Sequence, residues 1–412
     1  MKRLRIGIDI SNLGPDFFGG IDTYCLGLIK GFSENYKHCE FQIYLSKEYL
    51  KGRKKQLIYN KNFKYFIIED LSLYKKIILK LYNRILPLII PIFIKSYHLE
   101  YILKNYIYAE FKKTVDSNSD ILISPNVVLK SYNLRVPTLL NVHDIQHKHF
   151  PFFFSRAENN RRKMQYFNSV LYATNIIASG EFIKKDLIKE FPFIKKKILI
   201  ILEGVDIKKF SQKLNNTKIN QFFKNKKIKK NCFLFLPAQL WEHKNHITVL
   251  KGMKILKEKF KNNIALVFCG QKYESSKYLF DFIKINKLAN IFYMGVIKNN
   301  LAKWCFQNSF ATICPALYES SSLVNLESIA AKTIVISSDI PTNLEKKNLF
   351  RINIFKKTDP ESFAKTVNLL TQKLELRKKQ IDYNNKKIHL FSWKLTSKNY
   401  YLKCLQVLDE KK

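Results

Sequence analysis

The sequence predicts an α/β protein built from two doubly wound parallel sheets, and three observations carry that prediction. The chain has 412 residues, which suits two domains of roughly 200 residues each better than one core. Short apolar runs alternate with segments of helical periodicity, first from the N-terminus and again from about Asn231. A polar, Lys/Asn-rich stretch, Phe210–Lys230, separates the two rhythms and reads as a linker or an exposed loop.

The first strand is Leu4-Arg5-Ile6-Gly7-Ile8-Asp9-Ile10. It runs into a loop with Gly14-Pro15 and Gly19-Gly20, and Tyr24, Leu28, Ile29 and Phe32 then follow at helical spacing. Strand, glycine loop and helix open a βαβ unit. Further strands are expected at 41–45, 64–68, 121–124, 138–142 and 175–179. The second rhythm places strands at 232–236, 263–269, 291–294, 310–314, 333–337 and 352–355, with a helix at 247–260. The domains expected are an N-terminal one over 1–205, a C-terminal one over 206–385, and a terminal helix, 386–412, that crosses back to the first. No period of 20–50 residues is visible, which argues against a solenoid.

Seventy-two basic residues against 33 acidic ones give a net charge of +39. A chain so basic is drawn to polyanions. An AT-rich coding bias toward Lys, Asn, Ile and Phe accounts for part of it, and attraction to anionic lipid is the competing reading. Nucleic acid is disfavoured, because no RNP-like, zinc-knuckle or helix-turn-helix pattern occurs. The seven cysteines are scattered without a C-x-x-C pair, as expected for free, mostly buried thiols in a reducing compartment. Asp9, Asn12 and Asp16 interrupt the apolar stretch behind the basic start, so no secretory signal is expected. The run Ile85–Ile94 holds Pro87 and Pro91 and is about half the length a spanning helix needs, so no transmembrane segment is expected. Across 71–113, acidic residues are absent until Glu100. Leu99, Ile102, Leu103, Tyr106 and Ile107 make one apolar helical face there, with Lys95, Lys104, Lys112 and Lys113 nearby. That segment suits either a membrane interface or a core helix with a solvated lysine face.

Ligands of open parallel sheets bind beyond the C-terminal ends of the strands, so the residues that follow each strand are the candidates. After 232–236 comes Gln239, then Lys244 at a helix start, a point charge beside a dipole suited to a diphosphate. After 310–314 come Glu319 and Glu327 with seven residues between them, bracketing a small-residue loop. Free amides near Ser322, Leu323 and Val324 there suit a sugar or phosphate, and Glu327 suits a ribose diol. His143-Asp144 follow the strand at 138–142, and Gly19-Gly20 follow the first strand, where backbone can approach a ligand closely. His143, His147 and His149 also suggest a zinc site, but weakly, without a nearby Cys or an H-E-x-x-H helix.

Taken in order, these elements resemble the retaining glycosyltransferases of family 4, which have the GT-B fold of two Rossmann-like domains facing across a cleft. The similar residues are Gly19-Gly20-Ile-Asp-Thr-Tyr24, Asn141-Val-His-Asp-Ile145, Ser179, Gly204-Val-Asp206 with Phe210, Trp241-Glu-His-Lys-Asn245, Gly295, Pro315 with Glu319 and Glu327, and Phe391-Ser-Trp393. They cover nearly the whole chain. The departures are Gln239, where the family usually has arginine, Glu319-Ser-Ser-Ser322 for its E-G-F-G, and Ala330-Ala-Lys-Thr-Ile334 for its A-x-G-x-P.

The resemblance implies transfer of a sugar from a nucleotide diphosphate donor to an acceptor hydroxyl, with retention and without a metal. Gly19, Gly20, Gln239, Lys244, Ser322, Leu323, Val324 and Glu327 would bind the donor. Glu319 would hold the donor sugar, and His143, positioned by Asp144, would lie near the reacting sugar. A cytoplasmic enzyme of surface polysaccharide assembly at the inner face of the membrane, acting on a glycan or lipid-linked glycan, is the expectation. A non-enzymatic partner subunit and a GT-B enzyme of another type, such as a sugar-nucleotide epimerase, are the alternatives.

Overall fold

A computed structural model describes residues 3–14, 19–68, 70–89 and 96–410. The chain divides into two compact units, residues 1–204 with 393–412, and residues 205–392. Among the described residues, unit 1 holds the strands β1 (Arg5–Asp9), β2 (Glu40–Ser46), β3 (Phe63–Ile68), β4 (Ile121–Ser124), β5 (Thr138–Asn141), β6 (Asn175–Ala178) and β7 (Ile198–Ile200). They form one sheet in the order β3-β2-β1-β4-β5-β6-β7. Unit 2 holds β8 (Phe233–Pro237), β9 (Ala265–Cys269), β10 (Ile291–Tyr293), β11 (Ala311–Cys314), β12 (Ile334–Ser338) and β13 (Asn353–Phe355), in the order β10-β9-β8-β11-β12-β13.

The pairings are parallel, with Ile6 opposite Phe41 and Ile121 in unit 1 and Phe235 opposite Val267 and Thr312 in unit 2. Helices on both faces bury the central strands, which is why they read as unbroken apolar runs and not as alternating ones. Each order reverses at its first strand, between β1 and β4 and between β8 and β11, and open parallel sheets bind ligands at the C-terminal edge of such a switch point. Each unit is thus a doubly wound, Rossmann-like sheet, as the sequence predicts.

The strand β7 has no counterpart among the sequence expectations. Three residues between lysine-rich flanks carry too little pattern to stand out. The stretch 210–230 is more than a linker, since it contains the helix Thr217–Asn225. Asn216 caps that helix, and Phe223 stacks on Trp304 at 4.2 Å between ring centroids. Lysines hid this short apolar face.

In unit 1 the last helix, Trp393–Asp409, packs on Gly20–Asn35. The contact needs glycine: a Cβ at Gly27 would lie 2.0 Å from the Trp393 ring.

The segment 71–113 forms the helices Leu73–Ile89 and Ser96–Ile107 and the start of Ala109–Asn118. Its expected single apolar face is divided. Ile107 is buried and Leu103 packs inward, whereas Leu99, Ile102 and Tyr106 are exposed. Lys104, expected beside a solvated or lipid-facing surface, is buried instead. Its Nζ donates to Leu129 O at 2.8 Å and lies 3.9 Å from Glu100, and burial pushes its ammonium down to about 8. Lys95, residues 90–94 of the apolar run, Met1, Lys2 and Pro15 lie outside the described residues. Among the described residues, no helix is long and apolar enough to cross a membrane. The seven cysteines are free, and all but Cys232 are buried.

Candidate functional site

In unit 2 the chain leaves β8 through Ala238-Gln239, turns at Glu242–Lys244, and enters the helix His246–Glu258. Asn245 makes the turn with φ +55°, in the left-handed region that asparagine tolerates better than most residues. Its amide donates to Pro315 O at 2.9 Å and Lys357 O at 2.6 Å, and its Oδ1 accepts from Thr248 Oγ1 at 2.8 Å. One buried side chain thus ties together the loops after β8, β11 and β13. Gln239 does not lie open toward this turn, because its Oε1 accepts from Gln271 N at 2.6 Å and braces the loop after β9.

The loop after β11 carries Glu319. Its Oε1 lies 2.5 Å from Lys244 Nζ, and both side chains are about one-fifth exposed. The two residues, 75 apart in sequence, meet at the sheet's C-terminal edge. Thr342 Oγ1 donates to Glu319 O at 2.7 Å and holds that loop.

Ser322 starts the helix Leu323–Ala330 with φ +50°. A serine in this region is strained, and a buried network holds it. Ser322 Oγ donates to Asn343 Oδ1 at 2.7 Å, Asn325 Nδ2 donates to the same oxygen at 2.9 Å, and Ser337 Oγ donates to Asn325 Oδ1 at 2.9 Å. No side chain caps this helix, so the amides of Leu323 and Val324 stand at a bare N-terminus, where the dipole favours an anion.

The carboxyl of Glu327, one helical turn on, makes no hydrogen bond or ion pair among the described residues. Burial pushes its carboxyl up to about 7, and the charge of Lys209 offsets part of that rise. Ionised, that carboxyl accepts from both hydroxyls of a diol in charge-assisted hydrogen bonds, which the protonated form cannot do. Diol-dependent affinity should therefore rise with pH through about 7 and fall by about tenfold per unit well below it. Calorimetry in buffers of different ionisation enthalpy should show proton release on binding at pH 6, and its absence in Glu327→Gln. For the fold alone the sign is opposite. The raised carboxyl holds its proton more tightly folded than unfolded, so stability falls as pH climbs from its ordinary 4.5 through about 7.

In unit 1, Ser11 N and Oγ donate to Asp9 Oδ1 at the end of β1, and Lys130 Nζ donates to Ser11 Oγ at 2.7 Å. Gly19 and Gly20 are exposed at the helix start that follows. The φ of Gly19, −174°, is extended backbone that any residue adopts. His143 follows β5 and is 5% exposed. Asp144, expected to position it, instead accepts from Gln146 N at 3.1 Å. The side chain beside His143 Nδ1 is Glu203, at 3.5 Å, while Nε2 donates to Pro125 O at 2.9 Å. Sequence reasoning missed Glu203. Its signal was an isolated acid among isoleucines and lysines, directly before Gly204.

The histidines do not gather as a metal site. His149 pairs with Asp186, and His147 is buried with neither ring nitrogen bonded, its imidazolium pushed down to about 3. Among the described residues, no group of three His, Cys, Asp or Glu side chains is placed to hold a metal.

Residues 217–387 match the family described as glycosyl transferases group 1. The O-antigen chain mannosyltransferase RfbU of Salmonella typhimurium is 24% identical over 50% of this chain and 54% of its own. The capsular polysaccharide biosynthesis glycosyltransferase CapH of Staphylococcus aureus is 25% identical over 57% and 61%. The chain thus spans little more than half the length of these relatives. Among solved structures, Anabaena HepE in complex with UDP and glucose superimposes with a TM-score of 0.71 at 12% identity, covering 98% of this chain and 100% of that one.

Proposed function

We propose, from the match of residues 217–387 to the group 1 glycosyl transferases, that the protein transfers a sugar from a nucleotide diphosphate donor to an acceptor hydroxyl, with retention of anomeric configuration, in surface polysaccharide assembly. The observation that carries the proposal is the Lys244–Glu319 pair, together with the unpartnered carboxyl of Glu327 on the helix after the same loop, all following β8 and β11 of one parallel sheet. HepE, solved with UDP and glucose, supports a nucleotide-sugar donor, and the names of RfbU and CapH support a polysaccharide product.

In this reading the leaving diphosphate takes Lys244 from Glu319. Its growing charge is met by that ammonium and by the amides of Leu323 and Val324 behind Ser322, fixed in advance by the Asn343 network. Glu319, released, accepts hydrogen bonds from the donor sugar, and Glu327 from the ribose. Gln239 braces this site through the loop after β9, and no metal takes part. Gly19, Gly20, His143 and Asp144 of unit 1 are assigned to the same reaction. The test is a thermal-shift panel of nucleotide diphosphates and nucleotide sugars. One family of ligands should stabilise the fold, by about 2.7 kcal/mol at 100 times its dissociation constant. Radiolabel from that donor should then pass to a glycan or lipid-linked glycan. A panel with no stabilising nucleotide would overturn the reading.

The acceptor proposed is a lipid-linked glycan, which places the enzyme at the inner face of the cell membrane. Leu73, Tyr74, Ile77 and Leu81 on one helix, and Leu99, Ile102 and Tyr106 on the next, are each between 43% and 76% exposed. Lys75 Nζ sits 5.6 Å from the Tyr106 ring, so the two helices present these side chains together with bases. Apolar side chains flanked by lysines suit an anionic interface, at about 1 kcal/mol per lysine or arginine near the surface. The protein should float with anionic but not neutral vesicles. Salt, Lys80→Glu with Arg84→Glu, and Ile77→Ser with Ile102→Ser should each release it. Equal recovery in the soluble fraction with both lipids would remove the membrane from the proposal.

A further inference from the structure

His143 carries more structure than a residue awaiting substrate. Its Nε2 faces Pro125 O at 2.9 Å, and a carbonyl oxygen only accepts, so Nε2 bears a hydrogen. Its Nδ1 faces Glu203 Oε1 at 3.5 Å, and an ionised carboxyl also only accepts. An ionised Glu203 beside Nδ1 and the carbonyl beside Nε2 are both acceptors, a pair of neighbours that suits an imidazole with two protons. Glu203 is 4% exposed and His143 5%, so water does little to screen the pair.

The surroundings favour the same state. The Tyr24 ring stands edge-on to the imidazole, with centroids 5.1 Å apart, and Tyr24 OH is 2.7 Å from Tyr400 OH. Burial raises both phenols, so they stay protonated and bring no charge of their own to the imidazole. Asp144, next in the chain, adds a second negative charge. Burial alone would pull the His143 imidazolium down, but Glu203, Pro125 O and Asp144 together outweigh it, and the net direction is up.

We propose that Glu203 is a positioning residue that keeps His143 doubly protonated, so that His143 serves the transfer as a fixed cation and not as a proton acceptor. The pair also has a mechanical role. Pro125 follows β4, His143 follows β5 and Glu203 follows β7, so one imidazole pins three segments at the C-terminal edge of the sheet. Neither ring nitrogen is left with a lone pair to take a proton from an acceptor hydroxyl. The functional half of this inference rests on the glycosyl-transfer reading. The proton state does not, and it can be measured alone.

The experiment is 15N NMR of the full chain labelled at histidine, without ligand, from pH 6 to 9, with His143→Gln used to assign the signal. The wild type should show the imidazolium pattern at both His143 nitrogens at pH 7, where exposed histidines are largely neutral. In Glu203→Gln, His143 should be neutral at pH 7 with its hydrogen on Nε2, and its titration should move to lower pH. Glu203→Asp, which keeps the charge, should restore the imidazolium. A neutral His143 in the wild type at pH 7, or an imidazolium that survives in Glu203→Gln, would overturn the assignment. With the donor selected by the thermal-shift panel, turnover should fall as pH rises through the His143 midpoint. A rate that climbs through it would restore His143 as a base.

Discussion

Lys244→Ala should weaken nucleotide diphosphate binding about 10- to 100-fold, that is by about 1.5–3 kcal/mol, the range for hydrogen bonds to charged groups. The structure makes the loss larger than removal of a lone surface lysine. Lys244 Nζ lies 2.5 Å from Glu319, so its truncation leaves that carboxylate beside the incoming diphosphate with one cation fewer. Like charges at such range oppose binding, and the site is only about one-fifth exposed. Glu319→Ala alone should bind the bare diphosphate as well as the wild type or better, yet lower turnover, because the sugar loses its anchor. The double variant should bind the diphosphate better than Lys244→Ala, a coupling expected only of residues in contact. Calorimetry measures all four proteins. An unchanged affinity in Lys244→Ala would take the lysine out of the site.

Trp393→Ala should destabilise unit 1 by about 3–5 kcal/mol, a large share of the 5–15 kcal/mol that holds a domain folded. The indole is 5% exposed and packs edge-on to Tyr24, with centroids 5.4 Å apart. Gly27, Gly31 and Gly204 lie so close to Trp393 that a Cβ at any of them would come within 2.6 Å of it. Truncation leaves a cavity that three glycines cannot fill. Gly27→Ala should produce a comparable defect from the opposite side, by overpacking. Because the chain has two units, a single unfolding free energy is not defined for it. The expected result is a denaturation profile in which the transition of unit 1 moves to lower urea while that of unit 2 stays in place. Identical profiles for wild type and variant would show that the helix Trp393–Asp409 adds nothing to the core of unit 1.

Much of this was legible in the chain. The first strand, its helix and the repeated βα rhythm are local patterns, and the structure returns most of the expected strands within one or two residues. Parallel strands buried on both faces leave continuous apolar runs in the sequence, which is why they could be found. Lys244, Glu319 and Glu327 were also legible, because residues that follow strand ends in an open sheet are chemical candidates before any coordinates exist.

Other features were decided only by folding. That Lys244 meets Glu319, that Asn245 joins three loops, and that Glu203 rather than Asp144 stands beside His143 are facts about residues between 60 and 112 positions apart. Local propensity carries no information at that range. Lys104 shows the reverse error: its helical position suggested a solvated face, and the segment around Leu129 covers it instead. The sequence by itself determined the two sheets and the order of chemical groups along their edges, since period and burial act over a few residues. The tertiary structure alone decided which charge answers which, because a pair is set by where the edges of a sheet bring distant loops together.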